Sequence, residues 1–164
     1  MADTYIRKDD WRTPPEVWEP LNAEFEFDLD AAAMYDNALC LRFLDDALVL
    51  DDWPGERIFC NPPYGGMVAK FIAKASEEAA KGKTVVCLVP VRTRAEWWHK
   101  HVIGRASEIR FIRKRVHYIG PTGRAGLPTF DSCLVIFGTG QGLRVSSFHQ
   151  LDGVRHKSAP GGER

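Results

Sequence analysis

No apolar stretch in this 164-residue chain is long enough to cross a bilayer, and the polar first ten residues lack the hydrophobic core of a signal peptide. Neither a membrane-embedded nor a secreted protein is expected. Cysteine is sparse and dispersed: Cys40, Cys60, Cys87 and Cys133 lie far apart without a C-x-x-C pair, and three of them sit in apolar runs. That spacing argues against a zinc site or a disulfide framework and fits reduced, packed thiols in a cytosolic protein. Net charge is also lacking, since 22 Lys and Arg balance 22 Asp and Glu. No global basic field announces a nucleic-acid partner, so any such partner must be met by a local patch. There is no internal repeat. What is present is the make-up of a soluble globular domain, 45% hydrophobic and 27% charged, in a length suited to one domain with a substantial core.

Along the chain, residues 1–10 are polar and expected to be loosely ordered until Trp11. Thr13-Pro14-Pro15-Glu16 looks like a helix start, with Thr13 as the cap, followed by a short apolar face of Val17, Trp18 and Leu21 and a helix shortened or kinked at Pro20. Phe25 to Asp30 alternates with period two and predicts a strand ending in acid. Ile58 to Cys60 predicts a short buried strand. Val68, Phe71, Ile72 and Ala75 follow helical spacing, with Gly82 as the stop. Val85 to Val89 is a continuous apolar run typical of a central parallel strand. A helix is expected over Ala95–His101 and strands over Ile109–Ile112, Val116–Ile119 and Ser132–Phe137, and the pattern fades from Gly138, leaving 141–164 as a disordered or loosely packed tail. Strands alternating with helices predict an α/β sandwich with a mostly parallel sheet. Ligands of such sheets bind beyond the carboxyl ends of the strands, here Asp28–Ala33, Asn61–Tyr64 and Pro90–Arg94.

The segment leaving the second of these strands, Asn61-Pro62-Pro63-Tyr64, is stiff and poor in donors. Proline fixes φ and lacks an N–H, and the residue before it is pushed to extended backbone. The Asn61 Oδ1 and the Pro62 carbonyl then form a preorganised pair of acceptors suited to a planar NH₂ group, with Tyr64 offering a flat π-surface beside them. The amine of adenine is a poor nucleophile because its lone pair is delocalised; two acceptors gripping its hydrogens stabilise the charge that develops as a methyl group arrives. Such a base must leave the duplex and rest on an aromatic ring. The plainer alternative is a turn after an edge strand.

NPPY after a hydrophobic strand resembles the catalytic motif of amino-group methyltransferases that use S-adenosylmethionine. Trp11 to Pro14, Phe27 to Ala32, Asn37-Ala38, Asp46 to Leu48 with Trp53 and Gly55, Asn61 to Tyr64, and Leu88 to Pro90 with Arg92-Thr93 together resemble the small phage DNA adenine-N6 methyltransferases of the Dam type, over roughly residues 11–138. The resemblance implies a Rossmann-like class I methyltransferase sandwich over residues 11–140, mostly parallel with an antiparallel strand near the C-terminus. It also implies methyl transfer to N6 of adenine in double-stranded DNA, and a phage- or prophage-encoded enzyme in the bacterial cytoplasm. Catalytic Asn61, Pro62, Pro63 and Tyr64 would hold the target adenine. Thr13, Pro14, Asp30, Ala31 and Ala32 would line the methionine end of the cofactor, with Asn61 beside them. Asp46, taken before Asp45, would meet the cofactor adenine, and Asn37 or Asp36 the ribose. A carboxylate at the end of a strand, as Asp30 is predicted to be, suits the cofactor's α-ammonium; a helix cap or solvated acid is the alternative. Asp45, Asp51 and Asp52 are expected in solvent. The turn after the first strand is Asp-Ala-Ala-Ala, without the glycines many methyltransferases carry there.

Arg110, Arg113, Lys114, Arg115 and His117 are concentrated in one stretch, and with Arg92, Arg94, Lys100, Arg105 and Arg124 they compose a candidate stripe for DNA phosphates, solvated charge being the alternative. Arg113, Arg115 and His117 share a face if their strand is unbroken. One of Trp97 and Trp98 is expected in the core. No metal site and no separate target-recognition domain are expected. Two other functions fit the NPPY chemistry less specifically: methylation of RNA or of a protein glutamine, and a catalytically silent DNA-binding module.

Overall fold

A computed structural model describes residues 11–120, 123, 125–126 and 128–149. Expectations placed on residues 1–10, on Arg124 and on 150–164 lie outside the described residues. The elements run α1 (Pro15–Phe25), β1 (Leu29–Asp30), a 3-10 turn (Ala47–Val49), β2 (Arg57–Cys60), α2 (Met67–Ala80), β3 (Thr84–Pro90), a wide helical turn (Trp98–Val102), β4 (Glu108–Ile112), β5 (Tyr118–Ile119), β6 (Ala125–Gly126), β7 (Ser132–Phe137) and β8 (Arg144–Phe148). Six strands form one sheet in the order β1-β2-β3-β7-β4-β8, and β5 pairs with β6 as a separate ribbon. β1, β2 and β3 are parallel; β7 runs against both β3 and β4, and β8 lies parallel to β4. The sheet is therefore mixed, with β7 alone reversed.

β3 shows why a continuous apolar run belongs in the middle of such a sheet. Val85, Cys87 and Val89 pack with Val68, Phe71, Ile72 and Ala75 of α2, while Val86 and Leu88 pack with Val17 and Leu21 of α1. Both faces are covered, so both sets of alternate side chains are apolar. α2 stops where Lys81 leads into Gly82 at φ +96°, a conformation that glycine adopts without strain.

Several expectations are corrected. Thr13 does not cap α1; Pro14 holds the cap position and Pro15 the first turn. Phe25 ends α1 rather than opening a strand, because Glu26 turns left-handed (φ 50°) and the Phe25 and Phe27 rings stack at 5.5 Å. β1 shrinks to Leu29–Asp30. The basic stretch 113–117 is not strand: β4 ends at Ile112 and β5 begins at Tyr118. β8 lies inside the segment whose pattern predicted no strand, its first four residues exposed and Phe148 alone buried against the core. Trp98 is the buried member of the tryptophan pair. Among the described residues no helix is long and apolar enough to cross a membrane.

Candidate active site

A cavity of about 380 Å³ opens beyond the carboxyl ends of β1 and β2, in the size range of small-molecule sites. Three chain segments wall it: the strap Trp11–Thr13, the turn that follows Asp30, and Asn61–Tyr64, with Met67 and Phe71 of α2 beneath.

Asp30 is the last residue of β1 and only 3% exposed. Its Oδ1 accepts the Ala32 N–H at 3.3 Å and its Oδ2 the Leu39 N–H at 3.2 Å. Burial pushes its pKa up, the two backbone N–H groups pull it back in part, and the outcome is about 6. The carboxylate is thus held by dipoles, with no cation among those causes. The turn behind it needs no glycine. Among the described residues Glu26 is the only non-glycine with positive φ, so Ala31, Ala32 and Ala33 sit in ordinary backbone space.

An edge segment lies beside β1. The Asp30 N–H donates to the Arg42 carbonyl, the Leu44 N–H to the Asp30 carbonyl, and the Ala33 N–H to the Leu44 carbonyl. This short parallel pairing brings Asp45 to the cavity wall. Asp46, favoured over Asp45 by the sequence, sits instead at the start of the 3-10 turn and does not line the cavity. Asn37 lines it, with Oδ1 accepting the Met34 N–H at 2.6 Å; Asp36 is occupied by Arg12 at 2.9 Å. Pro14 and Ala31 lie behind the wall; Thr13, Ala32 and Asn61 lie on it.

Asn61 follows the last residue of β2. Its Nδ2 donates to the Trp11 carbonyl at 3.0 Å and to Thr13 Oγ1 at 3.1 Å. The NH₂ group is engaged by two acceptors, which leaves Oδ1 as the acceptor of a residue that lines the cavity. Pro62 is buried and Pro63 half-buried. Tyr64 donates its hydroxyl to Tyr118, whose own hydroxyl lies 3.0 Å from Ser132 Oγ. The Phe130 and Tyr118 rings stand nearly perpendicular to the Tyr64 ring, with centroids at 5.1 and 5.7 Å. Burial, and after it the neighbouring Tyr118, push the Tyr64 phenol well up, so Tyr64 is a neutral ring and not a base.

The strap is anchored from outside the sheet. The Arg12 and Ile119 backbones exchange hydrogen bonds at 2.9 and 3.1 Å, adding the strap as a third member of the β5–β6 ribbon. The Trp11 ring occupies the space where a side chain at Gly126 would project: a Cβ there would fall 2.2 Å from Trp11 Cζ3. The sequence marked Trp11 only within the Trp11–Pro14 segment of the resemblance and Tyr118 only as a strand residue. Their service to Asn61 and Tyr64 depends on contacts 50 and 54 positions apart in the chain.

Of the basic candidates, Arg92 and Arg94 follow β3, and Arg113, Arg115 and His117 follow β4; all five are exposed. Because β3 and β4 run in the same direction as β1 and β2, these groups emerge at the same edge of the sheet as the cavity. The Arg92 guanidinium lies 5.8 Å from the centre of the Phe130 ring. Arg110 is taken from the stripe by Glu24 (2.6 and 2.7 Å) and Glu108 (2.9 and 3.2 Å). Arg105 precedes β4 and so lies at the far edge. Among the described residues no cluster of three or more His, Cys, Asp or Glu could hold a metal ion.

A family profile described as DNA N-6-adenine-methyltransferase (Dam) matches residues 4–137. The chain belongs to this family. A curated relative, a DNA N-6-adenine-methyltransferase of Escherichia phage T1, is 32% identical over 95 residues, 56% of this chain and 40% of that protein. The match thus spans less than half of the relative's length. No solved structure matches. For this Dam-family chain, the residues 4–137 matched by the family profile take in β1, β2 and the whole of Asn61–Tyr64.

Proposed function

We propose that this protein transfers a methyl group from S-adenosylmethionine to the exocyclic N6 of adenine in double-stranded DNA. The observation that carries the proposal is Asn61: its amide hydrogens are bound within the protein, so the group it offers to the cavity is an acceptor, as a substrate NH₂ requires. Membership of the Dam family and the likeness to the phage relative support DNA as the carrier of that amine. The mixed sheet, with its site at the carboxyl edge, is compatible with a Rossmann-like class I methyltransferase.

The donor set fits the cofactor. Asp30 is a buried carboxylate stabilised by dipoles, and the α-ammonium of S-adenosylmethionine would provide the countercharge. Asp45, at the end of the edge segment, replaces Asp46 as the acid for the nucleoside half, and Asn37 stays beside it on the wall. Bound there, S-adenosylmethionine supplies an electrophilic methyl carbon. On the protein side, the flipped adenine rests on the Tyr64 ring, whose orientation is set by the nearly perpendicular rings of Tyr118 and Phe130. Asn61 Oδ1 and the Pro62 carbonyl accept the two amine hydrogens. With the methyl group supplied by the bound cofactor, N6 would gain a methyl substituent and give up one of its two protons to solvent, while Asn61 and Pro62 keep the amine in place. The gripping of the hydrogens stabilises the positive charge on N6 at the moment it develops. Arg92, Arg94, Arg113, Arg115 and His117 are the phosphate contacts in this proposal, with Arg124 a further member by sequence.

The direct test is incubation with methyl-labelled S-adenosylmethionine and duplex DNA, followed by nucleoside analysis. Label in N6-methyladenine is the expected result. Label found only in RNA or protein, or cofactor binding without any transfer, would overturn the proposal.

A further inference from the structure

We infer that Thr13 is a positioning residue for Asn61, and that the strap of Trp11 to Thr13 fixes which end of the Asn61 amide meets the substrate. This rests on the methyl-transfer proposal and names the device that sets its catalytic acceptor. An asparagine amide has two faces of opposite polarity, and a half-turn about its last bond exchanges them. With Nδ2 toward the cavity, Asn61 would repel an amine and welcome a carbonyl. Two groups on the strap prevent that. The Trp11 carbonyl is an acceptor only, so it attracts Nδ2 and repels Oδ1. The Thr13 hydroxyl takes the second hydrogen at 3.1 Å, and two bonds to one NH₂ group fix the amide plane where one would leave it free to swing. Thr13 is 5% exposed, so water offers little replacement for its hydroxyl.

The strap itself is not part of the sheet. It is pinned by the Arg12–Ile119 backbone exchange and by the Trp11 ring against Gly126. The β5–β6 ribbon that pins it also provides Tyr118, the partner of the Tyr64 hydroxyl. One ribbon therefore orients both the acceptor and the aromatic ring of the NPPY segment, from the side of the fold opposite α2.

Thr13 also lines the cavity, so its part in holding Asn61 must be separated from cofactor binding. Thr13→Val keeps the shape and removes the hydroxyl; Thr13→Ser keeps the hydroxyl. The expected result is a fall in kcat of roughly tenfold to a hundredfold for Thr13→Val. The dissociation constant for S-adenosylmethionine should stay within about twofold, and Thr13→Ser should recover most of the turnover. A Val variant with unchanged kcat would overturn the inference, as would one whose cofactor affinity falls by the same factor as its activity. An independent measurement needs no turnover. In wild-type protein the Asn61 side-chain amide pair, assigned by its loss in Asn61→Asp, should show proton exchange with solvent slowed well below that of exposed asparagines. Exchange at the exposed rate would refute the anchoring even if Thr13→Val failed to fold. If the wild type methylates no DNA yet its Asn61 protons are protected, the functional proposal fails and the positioning stands.

Discussion

Asp30 ends β1 and Asn61 follows the end of its neighbour β2, and each is dressed by backbone in a different way. Asp30 receives two N–H groups and remains strained as an anion, with a pKa of about 6. Its raised pKa has a definite sign. Below the unfolded value of 3.8 both states are protonated and no penalty arises. As pH rises toward 6 the unfolded chain ionises first, so the cofactor-free fold loses stability, by roughly 3 kcal/mol, and the loss is complete above the folded pKa. Pairing with an α-ammonium requires the ionised form. Affinity for S-adenosylmethionine should therefore be flat above pH 7 and fall about tenfold per unit below pH 6. Calorimetry across buffers should show a proton released on binding near pH 6; a flat affinity down to pH 5 would remove Asp30 from the cofactor site. Asn61→Ala should lower turnover by about a thousandfold, in the range of deleting a preorganised polar group, with cofactor affinity nearly intact. Wild-type-like turnover of that variant would defeat the acceptor role.

At the scale of elements, what was legible followed from the strength of the period. α2 and β3 were readable because each buries a regular set of side chains: four residues at helical spacing in one, alternate residues on both faces in the other. β8 was not, since four of its five residues are exposed and only its pairing with β4 defines it. The Phe25–Asp30 alternation misled because Phe27 stacks on Trp18 and Phe25 of α1 rather than sharing one face of a strand with Phe25. The place of Asn61–Tyr64 at the carboxyl end of a strand was legible, while the presence of Asp45 rather than Asp46 on the cavity wall depended on a three-residue edge pairing too short to leave a pattern. A buried ion cluster gives the element scale its own prediction. Glu78 of α2 is fully enclosed, bonded to Lys81, Lys83 and the Trp53 N–H and within 3.1 Å of Lys74, tying the end of α2 to the loop before β2 and to the start of β3. Burial pushes its pKa up, but these bonds outweigh it and hold it near 2. Its stabilising effect is thus present above the unfolded value of 4.5 and lost as pH falls toward 2. Glu78→Gln should cost about 3 kcal/mol at neutral pH, seen as a lower urea midpoint, and the gap to wild type should close near pH 2. An equal gap at both pH values would assign the loss to packing instead.

For the whole molecule, zero net charge makes the placement of charge decisive. Parallel strands sort the basic residues by edge. Those following β3 and β4 share the edge of the cavity, and Arg105, preceding β4, does not. Arg110 and Arg144 are committed to Glu108, which ties β4 to β8 and leaves them to the frame of the fold. DNA affinity should then depend on the cavity edge alone. The double charge reversal Arg113→Glu with Arg115→Glu should weaken duplex binding by more than about tenfold and lower the slope of log affinity against log salt by about 2, one unit for each lost phosphate contact. Cofactor affinity should not change, because neither residue lines the cavity. Arg105→Glu alters the net charge in the same direction at the far edge and should leave the slope where it was. Equal effects at the two edges, measured by anisotropy over a salt series, would mean that the molecule meets DNA through its overall field and not through the edge that holds Asp30 and Asn61.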